Sequence, residues 1–141
     1  MNAVCSFLKI GEILLKQNKI TVEQLNEVLK LQILSGKKTG ELLIEKNYIN
    51  EITLLNALSK QLEIEVVNLD NYYADSDAVK LLTENTAKRT CSIPLKVWND
   101  RILVAMDDPL NIFYINDIEA ETNRTVETVI APKSQIIFSN E

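Results

Sequence analysis

Histidine is absent from this 141-residue chain, cysteine occurs only at positions 5 and 91, and there are three glycines in all. Without an imidazole, and with two thiols that have no base beside them in sequence, nucleophilic catalysis and zinc binding lack their usual residues. So few glycines, and no G-x-x-x-x-G-K-[ST] stretch, exclude a phosphate-cradling P-loop. No catalytic residue and no metal site is expected. A surplus of positive charge is missing too: 15 Lys and Arg stand against 20 Asp and Glu, a formal net charge of −5. That balance argues against nonspecific binding to nucleic acid or an anionic membrane. No apolar run approaches the roughly 20 residues that a membrane helix needs, so direct membrane insertion is not expected. The opening residues 1–9 lack the basic-then-apolar plan of a signal peptide. With 46% hydrophobic residues the chain does not need a Cys5–Cys91 disulfide, and a reduced, cytoplasmic setting fits better.

What is present is a repeat. The first copy reads Lys9-Ile10-Gly11, then Leu14, Asn18, Leu25, Leu29 and Gln32; the second reads Lys38-Thr39-Gly40, then Leu43, Asn47, Leu54, Leu58 and Gln61. Every pair is 29 residues apart, with no insertion. Two copies are too few for a solenoid and fit a compact pair of helical hairpins. Charge divides in the same place. Residues 1–65 hold eight Lys and eight Glu, so the deficit falls on the rest of the chain and the repeat half is the better place for an anion.

The periodicity predicts a short helix over 10–17, ended by Asn18, a residue that tolerates a left-handed cap. Thr21 and Gln24 form a capping-box pattern opening a helix through Val22, Leu25, Val28, Leu29 and Ile33, which Gly36 stops. The pattern recurs over 40–46 and 51–62, with Asn50 as cap. After Glu63 the period changes. An extended piece at 65–69 and a loop at 70–75 precede one helix, capped by Ser76 and running to about Thr90. Residues 93–98 and 101–106 read as a β-hairpin about Asn99-Asp100. A helix over 111–122, a strand over 126–131 and a short helix after Pro132 complete the chain. The expected fold is α+β: a four-helix repeat subdomain of two helical hairpins, 1–65, then a small α/β subdomain with a β-hairpin, 66–141.

Leu25, Leu29 and Gln32 fall at i, i+4 and i+7 and share one helix face, as do Leu54, Leu58 and Gln61. An amide on an apolar face must find partners or incur a desolvation cost of about 1–3 kcal/mol. Duplication copies packing as faithfully as function, so the residues alone leave both readings of the glutamines open. Gly11 and Gly40 precede short helices, where backbone N–H groups and the helix dipole favour an anion, and Lys9 and Lys38 add positive charge. The plainer reading is that glycine permits close packing. Together these features describe two matching half-sites for a two-fold symmetric ligand with two phosphates and two flat bases. The Asp107-Asp108 pair lies in an acidic loop after a strand, where solvated carboxylates are the commoner outcome.

The tandem pattern resembles [R/K]-L-G-x-x-L-x-x-x-G-x-x-x-x-x-x-L-x-x-x-L-x-x-Q, the signature of the MshEN domain. That domain is the N-terminal part of GspE/PilB-type secretion and type IV pilus assembly ATPases and binds cyclic di-GMP. The stretch Ile93-Pro94-Leu95, Leu103 to Pro109 and Asp117-Ile118 resembles the second subdomain of those proteins. The resemblance implies that Lys9, Ile10, Gly11, Lys38, Thr39 and Gly40 meet the phosphates and ribose-base edges. It gives Leu14, Leu25, Leu29, Leu43, Leu54 and Leu58 as the apolar bed for the guanines, Gln32 and Gln61 as polar contacts, and Asp108 as reaching a guanine edge.

The chain departs from the pattern in three ways. Lys stands for Arg at 9 and 38, losing the planar guanidinium fork. Asn stands for Gly at 18 and 47, and Thr39 stands for Leu. The resemblance therefore implies a non-enzymatic, cyclic di-GMP-binding regulatory domain of a type IV pilus or type II secretion assembly ATPase. The ATPase domain would follow it in a parent chain. The alternatives are a docking module of the same fold that attaches the ATPase to an inner-membrane platform protein without binding nucleotide, and a free-standing cyclic-dinucleotide receptor.

Overall fold

A computed structural model of the chain describes residues 10–139, which divide into two compact units between Glu63 and Ile64. The architecture is mixed α+β, with eight helices and one three-stranded sheet among the described residues.

The first unit consists of helices α1 (Ile10–Lys16), α2 (Val22–Ser35), α3 (Thr39–Glu45) and α4 (Glu51–Leu62). Its turns repeat as the sequence does. Asn18 and Asn47 both adopt the left-handed conformation, with φ of 58° and 63°. Beyond them Lys19 N–H donates to Leu14 O at 2.8 Å and Tyr48 N–H to Leu43 O at 3.0 Å. These are the six-to-one bonds that close a helix end. Each long helix then opens on a side-chain cap. Thr21 and Gln24 form the full capping box, with bonds of 3.0 and 3.1 Å, and Asn50 Oδ1 accepts from Thr53 N–H at 2.7 Å.

The interior follows the same register: Ile13 and Leu42, Leu14 and Leu43, Ile20 and Ile49, and Val28 and Ala57 are all buried pairs. Packing crosses between the copies. The short α1 lies against α4 of the second copy, and α3 lies against α2 of the first, while α1 and α3 also touch. Gln17 Nε2 donates to Ala57 O at 3.0 Å, tying the first copy to the second.

The second unit is built on the sheet β1 (Ser92–Val97), β2 (Arg101–Met106), β3 (Thr125–Ile130), in that spatial order. β1 and β2 form the expected antiparallel hairpin, closed by Trp98 N–H donating to Arg101 O at 2.8 Å. Pro94, which has no N–H, sits in this outer strand beside a register shift, where the ladder tolerates it. The displaced Leu95 carbonyl accepts instead from Asp75 N–H at 2.9 Å. β3 pairs parallel with β2 after a crossover through α7 (Ile112–Thr122), since parallel neighbours need such a connection. The extended piece expected at 65–69 is a single parallel bridge, Val66 to Ile130, followed by a 3-10 turn at Leu69–Asn71.

Alternation along β2 divides the core in two. Ile102, Val104 and Met106 join Leu82, Ala87 and Ile118 on one face, and Ala105 joins Val67, Leu69, Ile93, Leu95, Ala131 and Ile136 on the other. The C-terminal helix α8 (Lys133–Ser139) supplies Ile136.

One expected helix is two. Residues 76–90 form α5 (Ser76–Val79) and α6 (Glu84–Thr90), separated because Thr83 starts a new helix. Its hydroxyl accepts from Thr86 N–H at 3.3 Å, while its own N–H donates to Glu121 Oε2 at 2.8 Å. Glu121 also receives the hydroxyls of Thr83 and Thr86 at 3.1 and 2.9 Å. Desolvation pushes the Glu121 carboxyl up, but these three donors outweigh it and hold the pKa below the ordinary value. Ser76, expected as a cap, is the first helical residue, and Asp75 holds the cap position without a side-chain bond.

Candidate functional site

Gly11 and Gly40 are each the second residue of a short helix, rather than preceding it as the sequence suggested. Their amides still lie in the first turn, where N–H groups have no acceptor within the helix. The structure shows how little room there is for a side chain at each position. A Cβ on Gly11 would stand 2.7 Å from Leu25 Cδ1, and one on Gly40 would stand 3.1 Å from Leu54 Cδ2. Each short helix thus rests on the leucine that begins its own copy's apolar face. The close-packing reading holds for both glycines, which are buried.

Gln32 is placed across copies. Gln32, near the end of α2, meets Thr39 at the start of α3, and the Thr39 hydroxyl donates to Gln32 Oε1 at 3.1 Å. Both residues are half-buried, as is Gln61. Leu29 is 41% exposed and Leu54 half-buried, so these leucines reach the surface. Leu14 and Leu43 are fully buried, and Leu25 and Leu58 nearly so; they form the floor on which the exposed residues stand. Ile10 is half-buried and Lys38 exposed at the N-cap of α3. Lys9 lies outside the described residues. Asp108 belongs to the second unit, in the segment after β2, and its carbonyl accepts from Asn111 N–H at 3.2 Å.

A charged network that the sequence did not disclose braces this unit. Tyr48, in the turn after α3, donates its hydroxyl to Glu27 of α2, and Lys46 reaches Glu27 Oε2 at 3.1 Å. The Tyr48 hydroxyl first, and Lys46 second, hold the Glu27 carboxyl below its ordinary pKa. The carboxylate in turn raises both Lys46 and Tyr48. No spacing rule could have found the pair, because its members are 21 residues apart on separate elements.

A shallow groove of about 450 Å³ lies beside that turn, lined by Lys19, Asn47, Tyr48, Ile49, Asn50 and Thr53. It contains none of the sequence-predicted ligand residues. Among the described residues no His, Cys, Asp and Glu converge as a metal site. No helix among them is long and apolar enough to cross a membrane.

Comparison with known proteins identifies the family. The sequence profile of the MshEN domain matches residues 62–137, just over half of the chain and almost entirely its second unit. Likeness to individual proteins extends through the repeat. The type IV pilus assembly ATPase PilB of Myxococcus xanthus is 32% identical over 128 residues, which cover 91% of this chain and 23% of that protein. A solved structure of MshE with cdg superposes with a TM-score of 0.83 at 30% identity, covering 94% of this chain and 96% of that one. The N-terminal domain of XpsE shares the fold, with a TM-score of 0.77 over 96% of this chain at 16% identity. The chain belongs to the MshEN domain family. It spans less than a quarter of the length of the curated relatives it matches.

Proposed function

We propose that this chain is a regulatory domain that binds cyclic di-GMP and belongs to a type IV pilus or type II secretion assembly ATPase, working in the cytoplasm. The observation that carries this reading is its likeness to MshE with cdg, 30% identical over 94% of the chain, including the tandem repeat. The geometry supports it. Two copies of one motif present half-buried glutamines in equivalent positions, each copy has one surface-reaching leucine, and a buried glycine stands in the first turn of each short helix. A two-fold symmetric dinucleotide suits two such half-sites. In this reading Lys38, Thr39, Gly40, Leu54, Leu29, Gln32 and Gln61 contact ligand, with Lys9, Ile10 and Gly11 completing the first half-site. Leu14, Leu25, Leu43 and Leu58 support from beneath. Ligand alters the parent ATPase only as far as it binds one arrangement better than another.

Titration calorimetry with cyclic di-GMP, with cyclic di-AMP as control, tests the reading. Gln32→Ala and Gln61→Ala should each weaken binding without unfolding the chain. Absence of heat and of any rise in melting temperature at tens of micromolar ligand would sink it. That outcome favours the docking module, which draws on Ile33 and Leu34, both 85% exposed near the end of α2.

A further inference from the structure

The two motif copies differ at one position that matters for chemistry. Ile10 in the first copy is Thr39 in the second, and the Thr39 hydroxyl donates to Gln32 Oε1. We propose that Thr39 is a specificity-determining positioning residue, turning the Gln32 amide so that its Nε2 donor faces a bound cyclic dinucleotide and guanine is favoured over adenine there. This rests on the reading of the repeat as a cyclic-dinucleotide site.

The argument is geometric. A side-chain amide is planar, with an acceptor on one prong and two donors on the other. Drawing Oε1 toward Thr39 leaves Nε2 as the prong available to a ligand. Thr39 is well placed to act as the anchor, because it is the first residue of α3 and half-buried. Guanine offers two acceptors, O6 and N7, along one edge, whereas adenine offers N7 beside its N6 donor. A glutamine recognises adenine by using both prongs together. With Oε1 turned aside that bidentate contact is lost, and a donor-only amide is matched to guanine.

The test compares wild type, Thr39→Val, Thr39→Ser, Gln32→Ala and the Thr39→Val/Gln32→Ala double variant. Each is titrated with cyclic di-GMP and cyclic di-AMP after circular dichroism confirms unchanged helix content. The Gln32 side-chain amide is also followed by NMR in the unliganded protein. Thr39→Val should shift that amide resonance and cut the preference for cyclic di-GMP by about tenfold. Thr39→Ser should keep the preference, and Thr39→Val should add nothing in the Gln32→Ala background. If wild type binds cyclic di-GMP but Thr39→Val leaves the preference or the amide resonance unmoved, the role of Thr39 is overturned and the binding reading stands. If wild type binds no cyclic di-GMP, the binding reading falls and takes this inference with it.

Discussion

The hydroxyl of Tyr48 donates to the carboxylate of Glu27, and Lys46 holds the other carboxylate oxygen at 3.1 Å. The three groups join α2 to the turn that follows α3, and they titrate as a set. Glu27 is held below its ordinary pKa, so its contribution to stability is present above the unfolded value and is lost as pH falls through the folded one. Lys46 and Tyr48 are raised, so theirs is present below the unfolded values and lost as pH climbs through the folded ones. The network is therefore intact across the neutral range and fails at both extremes. Tyr48→Phe should move the Glu27 carboxyl titration, followed by carbon NMR, upward toward the ordinary value. Because the groups face solvent, added salt should shrink that difference.

The two glycine positions should respond differently to alanine. Alanine in a helix gains roughly 0.5–1 kcal/mol over glycine. At Gly40 the neighbour is the half-buried Leu54, which can yield by tenths of an ångström, so Gly40→Ala should be neutral or slightly stabilising. At Gly11 the new carbon meets the buried Leu25 at 2.7 Å. Overpacking of this kind costs about 1–3 kcal/mol, so Gly11→Ala should be net destabilising. Urea midpoints compare the two directly, and equal effects would show that the copies pack alike.

Thr83 and Glu121 together start α6. Thr83→Ala removes the cap and should cost about 1 kcal/mol, as such caps do. Glu121→Gln keeps the shape but loses the charge beside a helix start, and its exposure to solvent should hold the loss below about 1 kcal/mol. Because both act on the same N–H and hydroxyl groups, the double variant should lose less than the sum of the singles.

Glu63 ends α4 in the left-handed conformation, with φ of 55°. An L-residue other than glycine is strained there by about 1 kcal/mol, and an acid at a helix C-terminus opposes the dipole. Glu63→Gly should raise the stability of the first unit by about 0.5–1 kcal/mol, read from the urea midpoint. A fall would mean that the Glu63 side chain makes a contact of its own.

The sequence disclosed the features that are local or periodic. The capping box at Thr21 and Gln24, the Asn turns, the hairpin about Asn99-Asp100 and both long helices all follow from residues within a few positions of one another. What it missed depends on partners far along the chain. Helix 76–90 looked continuous because the carboxylate that starts its second half sits 38 residues beyond Thr83. The half-sites were read copy by copy, whereas the bond from Thr39 to Gln32 pairs the second motif's start with the first motif's end. The burial of Leu14 and Leu43 was equally hidden, since an apolar residue on a helix face reads alike whether it meets a neighbour or a ligand.

The crossed packing of α1 on α4 and α3 on α2 has a kinetic consequence. Each 29-residue copy finds much of its apolar complement in the other, so neither hairpin has a finished core to protect while it waits for its twin. Backbone amides deep in all four helices should then exchange with solvent through one shared opening event. Native-state hydrogen exchange would show their opening free energies converging on a single value, as though two halves of a dimer had been tied together and could only come apart as a pair.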